Sequence, residues 1–596
     1  MINQTTKLIV IITTILSVVI NSYSQQNETK IHKLSIKDLQ NVKTSSATKI
    51  EENISDAPAT IIIITREEIR QRVYKDLSEI FEDLPGMDLA RQHGVHLFKN
   101  YIRGFLNSIG DPFLMMVDGL VQNTLYYGIN TTSMAAIPLS HIERVEVIYD
   151  PTSSVHAPNA SMGVINVIID GGDGVTYSGD RMPSNTHWPR VSRDIFTKYH
   201  KSINDKLKTF SLLRYWFAGL ENSHNSLTGS SVSNSTNDTL FLAGTYVYPG
   251  ESVRVAKHNH QQKLNRSLLI TQDFKYEYKD AQRGAGRTTN GYMFEVSVGA
   301  SSSDAYATAP AKWYRIHDPT IWQDYGLYLQ TKYSLNPKNI FNLGIRIDNN
   351  SFYGTATTLR ADFVKYMGDV TAKLLYREAY QEPQPRVVYG SWSGTGSSPY
   401  LQPERSNTSE INLNYSVKDF YTTLSTYYIQ NNNSIIAFKS GAPNIKKRNV
   451  LGLDLHINTE IPVSSIKQLR LWDYYSSILH EEEKKFDDAG NETGIGIIGD
   501  LSHHKVYMGA TAVIIDNLLL NIRGPYISGK KTFDTNPVDK IEGYFLLERH
   551  INYENIFDKS IGLGFKVTNF QDIKYFHSGV RDGNSGTEPG TWEGRS

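Results

Sequence analysis
Cysteine occurs nowhere in the 596 residues, which excludes a disulfide framework, a thiolate metal site and a cysteine nucleophile. Net charge is missing as well. Lysine plus arginine and aspartate plus glutamate each total 61, so no global field steers the chain toward nucleic acid or an anionic surface. Past residue 24 no apolar run approaches the ~20 residues of a membrane-spanning helix, so any further membrane crossing falls to strands. Catalytic signatures are lacking too. There is no G-x-S-x-G elbow, and His480-Glu481 has no second histidine at zinc-protease spacing. Gly494-Ile495-Gly496-Ile497-Ile498-Gly499 has dinucleotide-binding spacing but follows an acidic, polar stretch, so a turn between strands is expected there. Gly524 to Lys530 approaches a phosphate loop, yet Lys531 stands where serine or threonine would hold magnesium. An enzyme is not expected.

What is abundant is tyrosine, with 36 residues, a side chain suited to half-buried strands and to membrane interfaces, where the ring is buried and the hydroxyl stays wet. The N-terminus carries Lys7, then apolar residues from Leu8 to Ile20, then small Ser22 and Ser24. This pattern predicts a signal peptide over residues 1–24, cleaved after Ser24, with an uncleaved anchor as the alternative. Residues 25–55 are polar and charged and read as a flexible exported segment.

Residues 56–171 have the texture of a small mixed α/β domain. Ile61 to Ile64 form a β-branched run, and Thr65 with Glu68 makes a capping box that starts a short helix. Leu77, Ile80, Phe81 and Leu84 recur at helical spacing until Pro85-Gly86. Short strands follow at Leu114 to Val117, Val145 to Ile148 and Val164 to Ile169. Over 172–596 the period becomes two. Phe341, Leu343, Ile345 and Ile347 alternate with Asn342, Arg346 and Asp348, and Ile411, Leu413 and Tyr415 with Asn412, Asn414 and Ser416. Alternation alone fits a soluble sandwich or a membrane barrel. The export signal and ~400 residues of strand texture favour a transmembrane antiparallel β-barrel, which leaves no open edge in lipid.

Five ordered motifs then make the chain resemble the TonB-dependent outer-membrane receptor family. They are Ala57-Pro58-Ala59 with IIIITREEI, LPGMDL, Tyr101-Ile102-Arg103-Gly104-Phe105, LMMVDGL with PLSHIERVEV, and Asn159 to Ile168. LLYREAYQEPQP with Leu401-Gln402-Pro403-Glu404, and Lys566 to Phe570, resemble the family's barrel hairpins. The resemblance implies a 22-strand barrel in the outer membrane of a Gram-negative cell, occluded by an N-terminal plug. The implied activity is import of a scarce chelate, such as an iron-siderophore, haem or cobalamin, with no intrinsic cofactor and with the periplasmic TonB protein pulling on the plug. TonB would engage a short box by strand addition, for which Val42, Lys43, Thr44, Ser45, Ser46 and Ala47 are the candidate, a plain linker being the alternative.

The resemblance also assigns sites. His93, His96, Phe98, Tyr101, Tyr126 and Tyr127 fall on plug segments expected to face the substrate, and Arg103 is expected to pair with Glu410 on the barrel wall. Two departures stand out. Tyr149-Asp150-Pro151 replaces the family's arginine and glycine before proline, which predicts altered charge contacts between plug and wall. Gly594-Arg595-Ser596 falls where the family's last strand would begin, so a barrel short of one strand is expected, as in a truncated or relic receptor. An outer-membrane enzyme or a passive porin remains the alternative from another class.

Overall fold
The computed structural model describes most of residues 43–169, the strands between 174 and 295 by their backbone, and most of residues 324–578 with strand 591–593. The expected signal peptide and Val42, Ser45, Ser46, Ala47, His93, His96, Phe98, Tyr126 and Tyr127 lie outside the described residues.

The first strands are β1 (Lys43–Thr44), β2 (Glu52–Asn53) and β3 (Thr60–Thr65). Helix α1 (Arg66–Arg72) starts where the sequence predicts: Glu68 N–H donates to Thr65 Oγ1 at 3.2 Å and Thr65 N–H to Glu68 Oε2 at 2.9 Å. Helix α2 (Leu77–Asp83) buries Leu77, Ile80 and Phe81 completely, as its apolar spacing requires. Then come β4 (Met87–Ala90), β5 (Lys99–Ile102), β6 (Leu114–Val117), β7 (Leu120–Val121), β8 (Ile142–Tyr149) and β9 (Gly163–Ile169).

Five of these strands form a sheet in the order β3-β8-β9-β6-β7, antiparallel except for the parallel pair β6 and β9. One face, with Ile62, Ile64, Val145, Val147 and Ile165, joins the core of α1 and α2. The other, with Ile61, Ile148, Leu114, Met116 and Val164, packs on Ala57, Ala59 and Ala160. Burial on both faces explains why these strands are apolar runs rather than alternating.

The rest is nearly all strand. It begins with β10 (Gly174–Met182), β11 (Arg190–Ser202), β12 (Leu207–Asn222), β13 (Ser230–Ser233), β14 (Leu240–Leu242), β15 (Thr245–Val247), β16 (Ser252–Val255), β17 (Gln261–Lys279) and β18 (Thr288–Glu295). It continues with β19 (Asp324–Asn336), β20 (Asn339–Asn350), β21 (Gly354–Met367), β22 (Val370–Gln381), helix α3 (Pro385–Val388), β23 (Glu404–Val417), β24 (Phe420–Ile435), β25 (Asn444–Ile461) and β26 (Gln468–Phe486). It ends with β27 (Glu492–Gly496), β28 (His504–Ile515), β29 (Leu518–Ile527), β30 (Lys530–Lys531), β31 (Lys540–Ile541), β32 (Tyr544–Phe545), β33 (Glu548–Tyr553), β34 (Leu563–Val567), β35 (Phe576–Ser578) and β36 (Thr591–Glu593).

Among the described residues, nineteen of these strands form one antiparallel sheet from β10 to β34. Among the described residues its first and last strands are not paired with each other. Connections alternate between tight turns, as at Pro337-Lys338, Gly368-Asp369 and Lys418-Asp419, and longer segments, such as 382–403 and 528–547. Short turns on one side and longer loops on the other match the periplasmic and external ends of an outer-membrane barrel.

The faces of this sheet decide between the two readings of alternation. Phe341, Leu343, Ile345 and Ile347 are 38–53% exposed, whereas Asn342, Arg346 and Asp348 are at most 2% exposed. Ile411, Leu413 and Tyr415 are likewise exposed while Glu410 and Asn412 are buried. A water-soluble sandwich buries its apolar face; here that face points outward and the polar face packs inward, as in a wall surrounded by lipid. The aromatic pairs Phe341–Phe363, 4.8 Å apart, and Tyr415–Phe420, 6.1 Å apart, sit near the tight turns, and exposed Tyr526 and Phe545 lie toward the other end. Aromatic side chains at both ends of the strands fit the two membrane interfaces. An apolar groove of about 540 Å³ bordered by Phe341, Leu343, Phe363, Leu374 and Ile411 belongs to this outward face.

One expectation is corrected. The glycine-spaced run at 494–499 is not simply a turn: Glu492–Gly496 is strand β27, paired antiparallel with the far end of β26. No phosphate-cradling βαβ context exists there.

Candidate functional site
The polar inner face of the wall meets the plug through buried charges. At the centre is the turn Ile102 to Phe105, whose end residues exchange N–H···O bonds of 3.0 and 2.8 Å. Arg103 and Gly104 take φ of 49° and 82°, the two positive values of a type I′ turn, which glycine adopts without strain and arginine does not. The strain is held in place. Arg103 N–H donates to Gly86 O at 2.6 Å, its Nη1 lies 2.8 Å from Glu410 Oε2 on β23, and its Nε lies 2.9 Å from Asp454 Oδ2 on β25. All three side chains are buried. Gly86, with φ of 65°, lets this happen, since a Cβ there would come within 3.0 Å of Arg103 Cγ and 3.4 Å of the Asp454 carboxylate. The LPG and YIRG motifs thus build one contact.

Tyr149 belongs to the same contact. In the position where the resemblance has an arginine, its ring lies 4.9 Å from the Arg103 guanidinium and its hydroxyl donates to Pro85 O at 2.8 Å. Two carboxylates therefore face Arg103 while its neighbour is an aromatic ring rather than a second cation. The wall supplies another ring, Tyr427, 4.1 Å from the guanidinium.

Tyr427 can lie flat because its cross-strand partner is Gly452; a Cβ there would sit 2.3 Å from the Tyr427 hydroxyl oxygen. The device is repeated. Arg72, the last residue of α1, stacks 4.1 Å from Trp472, and the cross-strand partner of Trp472 is Gly509. A Cβ on Gly509 would sit 2.3 Å from the indole. Each of these plug arginines rests on a wall aromatic that covers a glycine, combining cation–π attraction with close backbone approach.

A second network ties the helices of the plug to later strands. Arg72 pairs with Glu68 at 3.0 Å, Tyr74 donates to Asp83 at 2.5 Å, and Arg523 on β29 bridges Asp83 at 2.7 Å and Glu548 at 2.6 Å. Lys566 on β34 holds Glu79 at 2.9 Å. Burial pushes the Asp83 carboxyl above its usual range, against the pull of Arg523 and Arg72. A third contact is reciprocal: Asn159 Nδ2 donates to Glu382 at 3.2 Å and Glu382 N–H to Asn159 Oδ1 at 3.0 Å.

Toward the long-loop end, Glu483 gathers Arg448 at 2.8 Å, Lys446 at 3.1 Å and Lys485 at 3.3 Å. Arg448 lies 5.8 Å from the Phe105 ring, so this basic group adjoins the plug turn Ile102 to Phe105. Among the described residues no three His, Asp or Glu side chains converge as a metal site.

Two of the sequence candidates can be placed here. Tyr101 is 1% exposed, in strand β5 just before the Arg103 turn. Burial drives its hydroxyl far above its usual range. Of the candidate box, Lys43 and Thr44 pair with Asn53 and Glu52, and Thr44 Oγ1 donates to buried Glu146 at 2.7 Å.

Residues 53–164 match the family model described as TonB-dependent receptor plug domain, and residues 154–570 that described as TonB dependent receptor-like, beta-barrel. The chain belongs to the TonB-dependent receptor family. Among curated relatives, a vitamin B12 transporter BtuB of Vibrio vulnificus is 35% identical over 124 residues, covering 21% of this chain and 20% of that one. The iron-regulated outer membrane virulence protein of Vibrio cholerae is 33% identical over 121 residues, covering 19% and 18%. The chain thus spans about a fifth of the length of these relatives, 20% and 18%. A BtuB of Photobacterium profundum is 20% identical over 62% of this chain and 67% of that one. Among solved structures, the ferric citrate transporter FecA in its unliganded form superposes with a TM-score of 0.65 at 14% identity, covering 91% of this chain and 96% of that one. The siderophore receptor PiuA from Acinetobacter baumannii gives 0.63 at 14%, covering 93% and 97%. At such identities these structures speak to the TonB-dependent receptor fold.

Proposed function
We propose that this receptor sits in the outer membrane and imports a scarce metal chelate, an iron-siderophore first and cobalamin second. The plug, over residues 56–171, closes a barrel formed by 172–596, and TonB in the periplasm drives import through the segment around Val42 to Ala47. The observation that carries this reading is a wall whose apolar face points outward and whose polar face grips a separate domain through buried ion pairs. Such a domain occludes the lumen until work is done on it. A passive porin needs an open lumen, and a plug anchored by Arg103, Arg523 and Lys566 argues against one.

Preference for an anionic chelate over an uncharged one rests on Arg448, Lys446 and Lys485, which gather on Glu483 with Glu404 close to the first two. Three cations against these two carboxylates, beside the plug residue Phe105, suit a carboxylate- or catecholate-bearing ligand. Substrate-facing roles for His93, His96, Phe98, Tyr126 and Tyr127 belong to the same proposal. The test is energised uptake of ferric citrate, ferric enterobactin, haem and cobalamin by cells in which this is the sole receptor of its family. Accumulation of one ferric chelate is expected, reduced at least ~10-fold in Arg448→Met, a change worth about 1.4 kcal/mol. Failure to accumulate any of the four would count against import.

A further inference from the structure
Between the candidate box and strand β3, the chain is held by its backbone. Three buried cations of the wall, Arg360 on β21 and Lys373 and Arg377 on β22, reach the carbonyls of residues 54–59. Lys373 Nζ donates to the carbonyls of Ile54 at 3.3 Å, Ala57 at 2.7 Å and Ala59 at 3.1 Å. Arg360 Nη2 donates to Pro58 O at 2.7 Å, and Arg377 Nη2 donates to the same oxygen. Asp362 accepts from Nε of both arginines and so fixes their orientation. The grip ends at Thr60, whose hydroxyl donates to Glu410 and accepts from Asn412 Nδ2 at 2.9 Å.

On the N-terminal side of this cradle the attachment among the described residues is lighter: a two-pair ladder and the bond from Thr44 Oγ1 to Glu146. Strands β1 and β2 share two residue pairs, and Lys43 lies opposite Asn53, so both ends of that hairpin emerge together. Traction on residue 42 with residue 54 fixed unzips such a ladder one pair at a time. The cradle resists differently. Five charge-assisted bonds, each about twice as strong as a neutral one, bear on carbonyls within six residues and share the load. On its C-terminal side lies β3, which among the described residues is an edge strand of the plug sheet paired with β8.

We propose that Arg360, Lys373 and Arg377 form a load-bearing latch on Ile54 to Ala59. Pull on the N-terminal segment first opens the β1 and β2 pairing and stops at the latch, and β3 is peeled from β8 only after the latch lets go. The latch separates an extension that makes the box reachable from a remodelling that opens the lumen. It rests on the proposed import only for the source of the pull.

Because the chain has no cysteine, Val42→Cys gives a single handle for force spectroscopy on the full-length receptor in a lipid bilayer, with no chelate or partner protein present. The expected trace has a low-force first event that lengthens the tether by about 4 nm, the reach of residues 43–53 at ~3.6 Å each, and then a separate high-force event. Lys373→Met, which removes three of the five bonds, should lower the second force about twofold. A wild-type trace in which one event extracts the plug sheet with no earlier 4 nm step overturns the latch, and so does an unchanged second force in Lys373→Met. Failure of the import reading would leave both traces as expected.

Discussion
The guanidinium of Arg103 lies 2.8 Å from the carboxylate of Glu410, 307 positions away along the chain, in a site where both side chains are at most 1% exposed. Asp454 takes the remaining edge of the same guanidinium. Removing one member of a buried pair strands the other, at a cost of about 3–5 kcal/mol. Arg103→Met and Glu410→Gln should each loosen the plug by that order, and together by clearly less than the sum. Thiol labelling of an Ile165→Cys reporter under increasing urea measures this. Strictly additive effects would remove the pair from the account.

Glycine at 452 and 509 exists for the sake of a ring on the next strand. Gly452→Ala and Gly509→Ala should each cost about 1–3 kcal/mol, because Tyr427 or Trp472 must leave the arginine it supports. Gly564→Ala is the control, since its nearest neighbour would be Asn552 Oδ1 at 3.6 Å. The same urea titration reads all three. Equal effects at the three positions would show that the rings are not involved.

The outward apolar face makes a directional prediction. Ile345→Arg places a cation on the lipid side near the middle of β20, at a cost of about 2–4 kcal/mol. The heat-dependent mobility of the folded barrel on a gel should reveal poorer folding in a bilayer. Equal tolerance of arginine at Ile345 and at the exposed turn residue Lys338 would argue against a membrane wall.

Local chemistry was readable in advance where neighbours in sequence are neighbours in space. The Thr65 capping box and the helical run Leu77, Ile80, Phe81 are of this kind, because a helix contacts itself at three and four residues. Alternation in β20 and β23 likewise assigned residues to two faces but could not say which face met lipid; that depends on the plug filling the inside. Asp454, Tyr427 and the Lys373 cradle escaped notice because each partner lies hundreds of residues from its mate. Gly452 was the available hint, as glycine inside a strand marks close approach. Burial of Tyr101 was not legible because the type I′ turn at Arg103-Gly104 beside it was not recognised.

His503, in the segment before β28, donates its Nε2–H to Glu481 Oε1 at 2.8 Å. This hydrogen bond raises its affinity for a proton above that of a free imidazole. The sign follows: a raised histidine stabilises the loop fully below about pH 6.5, and the contribution is lost as pH rises through the folded-state value. NMR titration of the imidazole should place His503 above its ordinary value and return it there in Glu481→Gln. An identical titration in both proteins would contradict the pairing.

Import driven from the periplasm is the central claim, and Thr44→Pro addresses it most directly. Proline removes the N–H that strand addition requires, at a residue that is not among the basic group on Glu483. With the best-bound ferric chelate of the four as probe, the account predicts unchanged surface binding and at least a ~10-fold loss of energised uptake, about 1.4 kcal/mol. Full uptake in Thr44→Pro cells would contradict it.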